Sequence, residues 1–265
     1  MARTGIIHAH SKFSYDGVHA LEELVALARR HGFDFIAMTE HSDALDTDQM
    51  TRFVQECRRL SDSQFLVIPG IEFPCINDFH ILGVGIERLT DSSDPTFVVR
   101  FIQEQGGLAI IAHPSRNGYK IPKGLEIVID GIEIWNARYD GWFVPNDLSI
   151  ALWKDLHRGR GELVAVGGQD LHEMKPRGHV KTVIAHDELS QATIFQALKD
   201  GRFWISNSYL RLHPSALDGW LRLASIACAR RIFLFARSVG RPLRNGFRAV
   251  RGHLPKVKGD EHSGP

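Results

Sequence analysis

Histidine and carboxylate side chains recur in this 265-residue chain at the points where short apolar runs end. The pair Ile6-Ile7 leads into His8-Ala9-His10, and the apolar run 65–68 is followed closely by Glu72. Imidazole and carboxylate ligands together suit zinc, manganese or iron better than magnesium or calcium. The candidate metal ligands placed in this way are His8, His10, His41, Glu72, His113, Asp170 and His172, and a further candidate, His80, lies within or beside such a run.

These ligands outnumber the four that one tetrahedral ion uses, so we expect two or three divalent ions, either manganese, zinc or iron. Glu72 and Asp170 are the natural bridging ligands, because a carboxylate has two oxygens to share. A cluster of ions clamps both the attacking and the leaving oxygen of a displacement and lowers the pKa of a bound water. The ligand set therefore indicates hydrolysis, and phosphoester hydrolysis above all.

The elements that must position these ligands alternate between strand and helix. Repeated β-then-α units predict a mainly parallel sheet with helices outside it, and about seven such strands indicate a closed or nearly closed barrel. Catalytic groups gather at the C-terminal strand ends of such barrels, because the following loops converge there. Two residues apart in a strand, His8 and His10 would share a face. Among the predicted elements are strands at 5–9, 35–38, 65–68, 108–112 and 163–166 and helices at 18–31, 47–60, 95–105 and 145–157.

Taken in chain order, the ligands and their neighbours resemble the motifs of the PHP (polymerase and histidinol phosphatase) family over roughly residues 5 to 206. The matching runs are His8-x-His10-Ser11 with Asp16-Gly17, Thr39-Glu40-His41, Pro69-Gly70-Ile71-Glu72, His80-Ile81-Leu82-Gly83, Ala112-His113-Pro114 and Gly168-Gln169-Asp170-Leu171-His172.

This resemblance implies an α/β fold, a distorted (β/α)7 TIM-like barrel with a two- or three-metal centre. It also implies phosphoester hydrolysis with a metal-bound hydroxide as nucleophile, and we expect Asp170, Glu72 and His172 to be its catalytic residues. By position in the motifs, one ion would be held by His8, His10, Glu72 and Asp170, a second by Glu72, His80 and His113, and a third by Asp16, His41 and His172.

Three features depart from the family pattern. Glu40 stands where the family usually has Asp, and we do not expect it to be a ligand. Some relatives have His where this chain has Asp16, so we expect the third ion to bind differently or more weakly. Only 32 residues separate His80 from His113, whereas members acting on nucleotides often carry a long insertion there. We therefore expect a small phosphorylated substrate and no stable complex with nucleic acid.

A phosphate dianion needs positive charge beyond the metal ions, and arginine can bind its oxygens bidentately. Arg116, Lys120 and Arg138 follow predicted strand ends, so we expect them to bind substrate.

Charge divides the chain into two parts. Eleven of its 32 Lys and Arg residues but only three of its 31 Asp and Glu residues lie in 211–265. We predict a hydrolase barrel over 1–210 and a basic, partly helical extension over 211–265, disordered at its end. The extension is interpreted as a helix packed on the barrel followed by a solvated basic end; contact with an acidic partner or a membrane surface is the alternative.

Cys57, Cys75 and Cys228 are too few and too widely spaced for a disulfide framework or a thiolate zinc site, which fits a cytoplasmic location. Neither a secretory signal nor a membrane span is visible. We predict a metal-dependent phosphoesterase acting on a small phosphomonoester or related phosphoester. A metal-dependent hydrolase of a non-phosphate ester or amide, and a non-catalytic metal-stabilised binding module, are the alternatives.

Overall fold

The computed structural model describes residues 2–160, 162–175 and 178–252, which form twelve strands and seven α-helices. The strands are β1 (Ala2–Ile7), β2 (Phe35–Ala37), β3 (Glu40–His41), β4 (Leu66–Ile68), β5 (Gly70–Cys75), β6 (Phe79–Val84), β7 (Leu108–Ile111), β8 (Gly131–Asn136), β9 (Val164–Gly168), β10 (Lys181–Ala185), β11 (Phe203–Ser206) and β12 (Arg211–Leu212). The helices are α1 (Leu21–Arg30), α2 (Thr47–Leu60), α3 (Pro95–Gln103), α4 (Leu125–Val128), α5 (Asp147–Arg160), α6 (Gln191–Lys199) and α7 (Trp220–Gly252).

These strands form two six-stranded sheets, in the orders β12-β11-β10-β1-β2-β4 and β3-β5-β6-β7-β8-β9. Five strand pairs are parallel and five antiparallel, so the prediction of a mainly parallel sheet is wrong. One physical reason is the short turn between β5 and β6, because a connection of a few residues can only join antiparallel neighbours. The architecture is mixed α/β, and no single closed sheet is assigned among the described residues.

The helix α2 shows how local sequence determines an element. Asp46 accepts a hydrogen bond from the backbone N–H of Gln49, whose side chain accepts one from the backbone of Asp46, so the first turn is capped. Met50, Phe53, Val54 and Cys57 are buried on one face, with the spacing that a helix packed on a sheet requires. The structure confirms the predicted bounds of 47–60.

The C-terminal part of the described chain remains attached to the body. The strand β12 pairs with β11, and α7 contacts α5. On α7, the guanidinium of Arg230 is buried and lies 3.3 Å from Asp140 Oδ1 and 3.4 Å from Asp147 Oδ1. The boundary at residue 210 stays a prediction. We predicted disorder over residues 252–265; Gly252 is the last residue of α7, and residues 253–265 lie outside the described residues.

Within the part of the chain that the structure describes, no helix combines the length and the apolar character needed to cross a bilayer.

Replacing Phe35 with alanine tests the core between β1 and its neighbours. The side chain is fully buried, so Phe35→Ala should lower the free energy of unfolding by about 3–5 kcal/mol through lost burial and the cavity left behind. Urea titration followed by circular dichroism measures the change. Phe97→Ala is the matched control, because Phe97 is 50% exposed on α3 and should change stability by less than about 1 kcal/mol.

Candidate metal centre

The carboxylate of Glu72 lies at the centre of the site, buried on β5 and surrounded by imidazole nitrogens. Its Oε1 atom is 2.6 Å from His80 Nδ1 and 2.9 Å from His113 Nε2. The second oxygen, Oε2, faces three further imidazoles: His8 Nε2 at 3.3 Å, His10 Nε2 at 3.4 Å and His41 Nδ1 at 3.4 Å. One carboxylate thus contacts histidines from four separate stretches of chain.

The antiparallel pairing of β5 and β6 explains how His80 reaches Glu72. His80 is the second residue of β6 and pairs with Pro74, which shares a sheet face with Glu72 because side chains alternate along a strand. In an antiparallel pair, the start of one strand lies beside the end of the other. His80 therefore joins the same edge as the ligands that follow the parallel strands.

The geometry of His8 differs from our prediction. The strand β1 ends at Ile7, and His8 has a φ of 70°, so the rule that residues i and i+2 share a strand face does not apply. The turn is stabilised by Leu171, whose N–H donates to the His8 carbonyl and whose own carbonyl accepts from His10 N. The two imidazole centroids are nevertheless only 5.1 Å apart.

Left-handed backbone recurs at other candidate ligands. The φ angle is 26° at His113 and 50° at Asp170, as well as 70° at His8. For non-glycine residues, such conformations cost on the order of 1–3 kcal/mol each and cluster at functional sites. The strained backbone at these residues therefore lowers local stability while placing their side chains in the site.

A second part of the site is built around Asp16. Its Oδ2 atom is 2.8 Å from His172 Nε2, and its Oδ1 atom is 3.3 Å from His41 Nε2. The other nitrogen of His172, Nδ1, donates to the Asp170 carbonyl at 3.0 Å, which leaves Nε2 free to face Asp16. The carboxylate of Asp170 lies 3.7 Å from His8 Nε2 and 3.8 Å from His10 Nε2.

All nine predicted ligands fall into four overlapping groups whose ligand atoms lie within 4.8 Å of one another. The predicted set Glu72, His80 and His113 is one of them. The other groups divide the ligands differently from our prediction, since His10 joins Asp16, His41 and His172, and His113 joins His8 and Asp170. The groups are His10, Asp16, His41 and His172; His8, His10 and Glu72; His8, His113 and Asp170; and Glu72, His80 and His113.

Three buried polar atoms of the site make no hydrogen bond, although each lies close to another candidate ligand. They are His10 Nε2, which is 3.4 Å from Glu72 Oε2, and the pair His41 Nε2 and Asp16 Oδ1, which are 3.3 Å apart. Leaving such atoms without a hydrogen bond costs about 1–3 kcal/mol each. A cation coordinated by imidazole nitrogen and carboxylate oxygen removes this cost, and zinc, manganese or iron accepts such a ligand set.

Sequence reasoning missed Glu133, which is fully buried on β8. Its carboxylate accepts hydrogen bonds from His8 Nδ1 at 2.7 Å, from His113 N at 2.6 Å and from Asn136 Nδ2 at 2.8 Å. Donation from Nδ1 leaves the lone pair on His8 Nε2 directed at the other carboxylates, as in a carboxylate–histidine–metal arrangement. The available signal was an acidic residue inside the otherwise apolar run Gly131-Ile132-Glu133-Ile134-Trp135.

The pKa values in the site follow from burial opposed by nearby charge. Burial would raise the pKa of Glu72, but the histidines around it, His8 foremost, hold this pKa well below its usual range, so the carboxylate is ionised. Burial lowers the pKa of His10 well below its usual value, which keeps that imidazole in the neutral form a metal requires. For His8, burial is outweighed by Asp170, Glu133 and Glu72, which raise the pKa.

Glu40 has a structural position beside the site. It is fully buried and accepts hydrogen bonds from the backbone and hydroxyl of Ser11 and from the Ser14 hydroxyl. Burial raises its pKa to about 7, although these hydrogen bonds oppose the shift. Ser14 in turn accepts from His41 N at 2.9 Å, so Glu40 orders the loop beneath His41.

Two of the three predicted substrate-binding residues line a cavity at the site, and the third does not. Arg116 and Arg138 line a cavity of about 90 Å³ that Glu72 also lines. Arg116 forms two hydrogen bonds to Asp78, at 2.6 and 2.8 Å, while Arg138 Nη2 is 3.9 Å from Asp16 Oδ2. Lys120 is exposed and is absent from the lining of this cavity.

A wider cleft of about 530 Å³ opens beside this cavity and shares four lining residues with it, Asp16, Arg138, Asp170 and His172. Trp142 and Lys175 belong to its remaining lining. The cleft gives a small molecule access to the ligand cluster.

Comparison with known proteins identifies relatives in sequence and in fold. The sequence model of the PHP domain matches residues 7–197. An uncharacterized protein of Methanocaldococcus jannaschii, MJ1587, is 23% identical over 165 residues, which cover 57% of this chain and 91% of that protein.

Two solved structures share the fold. A two-domain protein from Bacteroides vulgatus, described as containing a predicted PHP-like metal-dependent phosphoesterase, has a TM-score of 0.62 and 20% identity, over 84% of this chain and 69% of that one. PsfC from Pseudomonas syringae has a TM-score of 0.56 and 15% identity, over 88% of this chain and 99% of that one.

The variant Glu133→Gln tests whether this buried carboxylate supports the metal ligands. Without a negative charge beside Nδ1, His8 should become a poorer ligand, and the affinity for Mn²⁺ or Zn²⁺ should fall by about 10–100-fold. Calorimetric titration of metal into the protein measures the affinity. Glu104→Gln, an exposed control at the end of α3, should leave it unchanged; equal affinity in Glu133→Gln and wild type would refute the role.

Gly168→Ala tests the close packing of β9 against Glu133. A Cβ atom at residue 168 would overlap with Glu133 Oε1, so the carboxylate must move from its hydrogen bonds. We expect a loss of about 1–3 kcal/mol in unfolding free energy together with weaker metal binding, measured by urea titration and calorimetry.

The control for Gly168→Ala is Gly159→Ala on α5, where no described atom outside the adjoining helix backbone lies within 4 Å of the added methyl group. This substitution should stabilise the protein by up to about 1 kcal/mol. Unchanged metal affinity in Gly168→Ala would contradict the packing argument.

Proposed function

Because the chain belongs to the PHP domain family, we propose that it hydrolyses a small phosphomonoester, or a related phosphoester, in a centre of two or three divalent metal ions. Members of this family bind divalent metals, and the clustered ligands of this chain are of the type that such ions require. Zinc, manganese and iron are the ions that suit the set.

The observation that carries this proposal is the shared position of Glu72. Its two oxygens face different ligand groups, with His80 and His113 near Oε1 and His8 and His10 near Oε2. A carboxylate in this position can bridge two cations. Paired cations suit displacement at phosphorus, because both the entering and the leaving oxygen carry negative charge.

The residues of the proposed centre have separate roles. The cations, when bound, supply an activated water and neutralise charge on the phosphate. Glu72 and Asp170 hold the centre together, while His172 faces the open cleft with its Nε2 atom beside Asp16. Glu133 maintains His8 in the tautomer that presents Nε2.

Arg138 and Arg116 are the proposed phosphate-binding side chains. Both line the small cavity that Glu72 also lines, which supports placement of the phosphate there. Arg116 is already paired with Asp78, so its guanidinium has less charge available than that of Arg138. Lys120 remains a weaker candidate because it is exposed outside this cavity.

We also propose that the two sheets together form the distorted seven-stranded barrel. Two observations support it: only one residue separates β4 from β5, and two separate β2 from β3, so each pair continues along one path through both sheets. At the other side, Gln169 N donates to Ile7 O at 2.8 Å, which links the ends of β9 and β1.

Hydrolysis of p-nitrophenyl phosphate by protein loaded with manganese or zinc tests the proposed activity. We expect metal-dependent release of p-nitrophenol and its loss to background in Asp170→Ala, because that variant removes a carboxylate that faces His8 and His10. Asp91→Ala, at an exposed loop position, should retain wild-type rates. Full activity in Asp170→Ala would overturn the assignment of the metal centre.

A substrate panel separates the phosphoesterase from a hydrolase of carboxylic esters or amides. Phosphate, carboxylate and amine release are measured from matched phosphorylated metabolites, aryl esters and aryl amides. We expect phosphate release to dominate, since two arginines line the cavity. Faster cleavage of esters or amides, with no phosphate release, would favour the alternative chemistry.

A further inference from the structure

The helix α7 carries an exposed apolar stripe on the side that faces away from the body. We call it the outer stripe and define it as Leu221, Ser225, Cys228, Ile232 and Phe235. These residues follow the spacing i, i+4, i+7, i+11 and i+14, which places them in one line along a helix. Leu221, Ile232 and Phe235 are 64%, 65% and 71% exposed, which is unusual for three bulky apolar side chains on one line.

The opposite side of the helix is attached to the body. Ile226 and Arg230 are buried there, and Arg230 contacts Asp140 and Asp147. Phe233, also on this side, stacks on Phe143 with ring centroids 5.9 Å apart. Since this face is already occupied, the outer stripe cannot be covered by rolling α7 onto the body.

The charge of the helix restricts what can cover the stripe. The sequence of α7 contains eight arginines and no acidic residue. Exposed Arg222 and Arg231 fall on either side of the stripe, at roughly 100° and −80° around the helix axis from Leu221. The stripe is therefore an apolar strip between positive flanks, as in helices that lie in a membrane interface.

We propose that the outer stripe of α7 docks the protein on the surface of an anionic lipid bilayer. The stripe extends over about 21 Å, long enough for several turns to lie parallel to the surface. A second copy of the chain is disfavoured, because pairing through this stripe would bring the exposed Arg222 and Arg231 of both helices together, and the sequence of α7 has no acidic residue to offset them. This inference concerns a surface outside the metal centre and does not depend on the hydrolase activity.

The exposed thiol of Cys228 allows a direct test on the full-length protein. Cys57 and Cys75 are buried, so a polarity-sensitive fluorophore attached through its maleimide should label Cys228, in the middle of the stripe. On adding vesicles of phosphatidylcholine with phosphatidylserine, the emission should shift to the blue; pure phosphatidylcholine vesicles should produce little shift. Added salt should reverse the effect, because it screens the arginines.

Sedimentation of unlabelled variants with the same anionic vesicles distinguishes binding through the outer stripe from non-specific binding. Ile232→Glu with Phe235→Glu should abolish sedimentation. Phe97→Glu, at a 50% exposed position on α3, is the matched control and should retain it. Arg222→Gln and Arg231→Gln should each weaken binding by about fivefold. Thermal melts and hydrolysis of p-nitrophenyl phosphate verify that each variant is folded.

The proposal fails if the folded protein does not sediment with anionic vesicles at low salt, or if the double glutamate variant sediments as well as wild type. A blue shift that depends on protein concentration in the absence of vesicles would overturn it in favour of a second copy. A shift produced by poly-glutamate but not by anionic vesicles would instead identify an acidic polypeptide as the partner.

Discussion

A buried carboxylate surrounded by five imidazoles determines how the chain is arranged around the site. Glu72 is 2% exposed, and nitrogens of His8, His10, His41, His80 and His113 lie within 3.4 Å of its oxygens. Burying so much polar surface is costly unless every group is paired or coordinated. The strained turns at the strand ends and the hydrogen bonds beneath the imidazoles are consequences of bringing these groups to one point.

Much of the site could be predicted from sequence because ligand chemistry depends on residue type, and residue type is visible. All nine predicted ligands come together, although the strand geometry expected for His8 was wrong. The left-handed turn at His8 depends on hydrogen bonds to Leu171, about 160 residues away, which no local pattern encodes. Glu133 was not predicted for a related reason. The role of an acidic residue within an apolar strand can be assigned only when its neighbours across the sheet are known.

The positions of helices and strands could be predicted from the sequence better than the direction in which the strands pair. The predicted bounds of α2 are confirmed, and both the cap at Asp46 and the helical spacing of its buried residues are local features of the sequence. Strand direction is not local: β6 runs antiparallel to both neighbours, and β10 pairs antiparallel with β1. The antiparallel pairing of β5 and β6, which makes the prediction of a mainly parallel sheet wrong, also places His80 in the site. Charge composition indicated a distinct C-terminal segment. In the structure, Arg230 attaches this segment to the body through Asp140.

The clustered ligands are proposed to hold a bridged centre of divalent cations. Anomalous diffraction from crystals grown with Mn²⁺, recorded near the manganese absorption edge, would locate these ions. Two or three anomalous peaks are expected among the nine ligands, with Glu72 contacting two of them. A map with no peak at Glu72, or with a single ion held elsewhere on the protein, would show that no bridged centre forms.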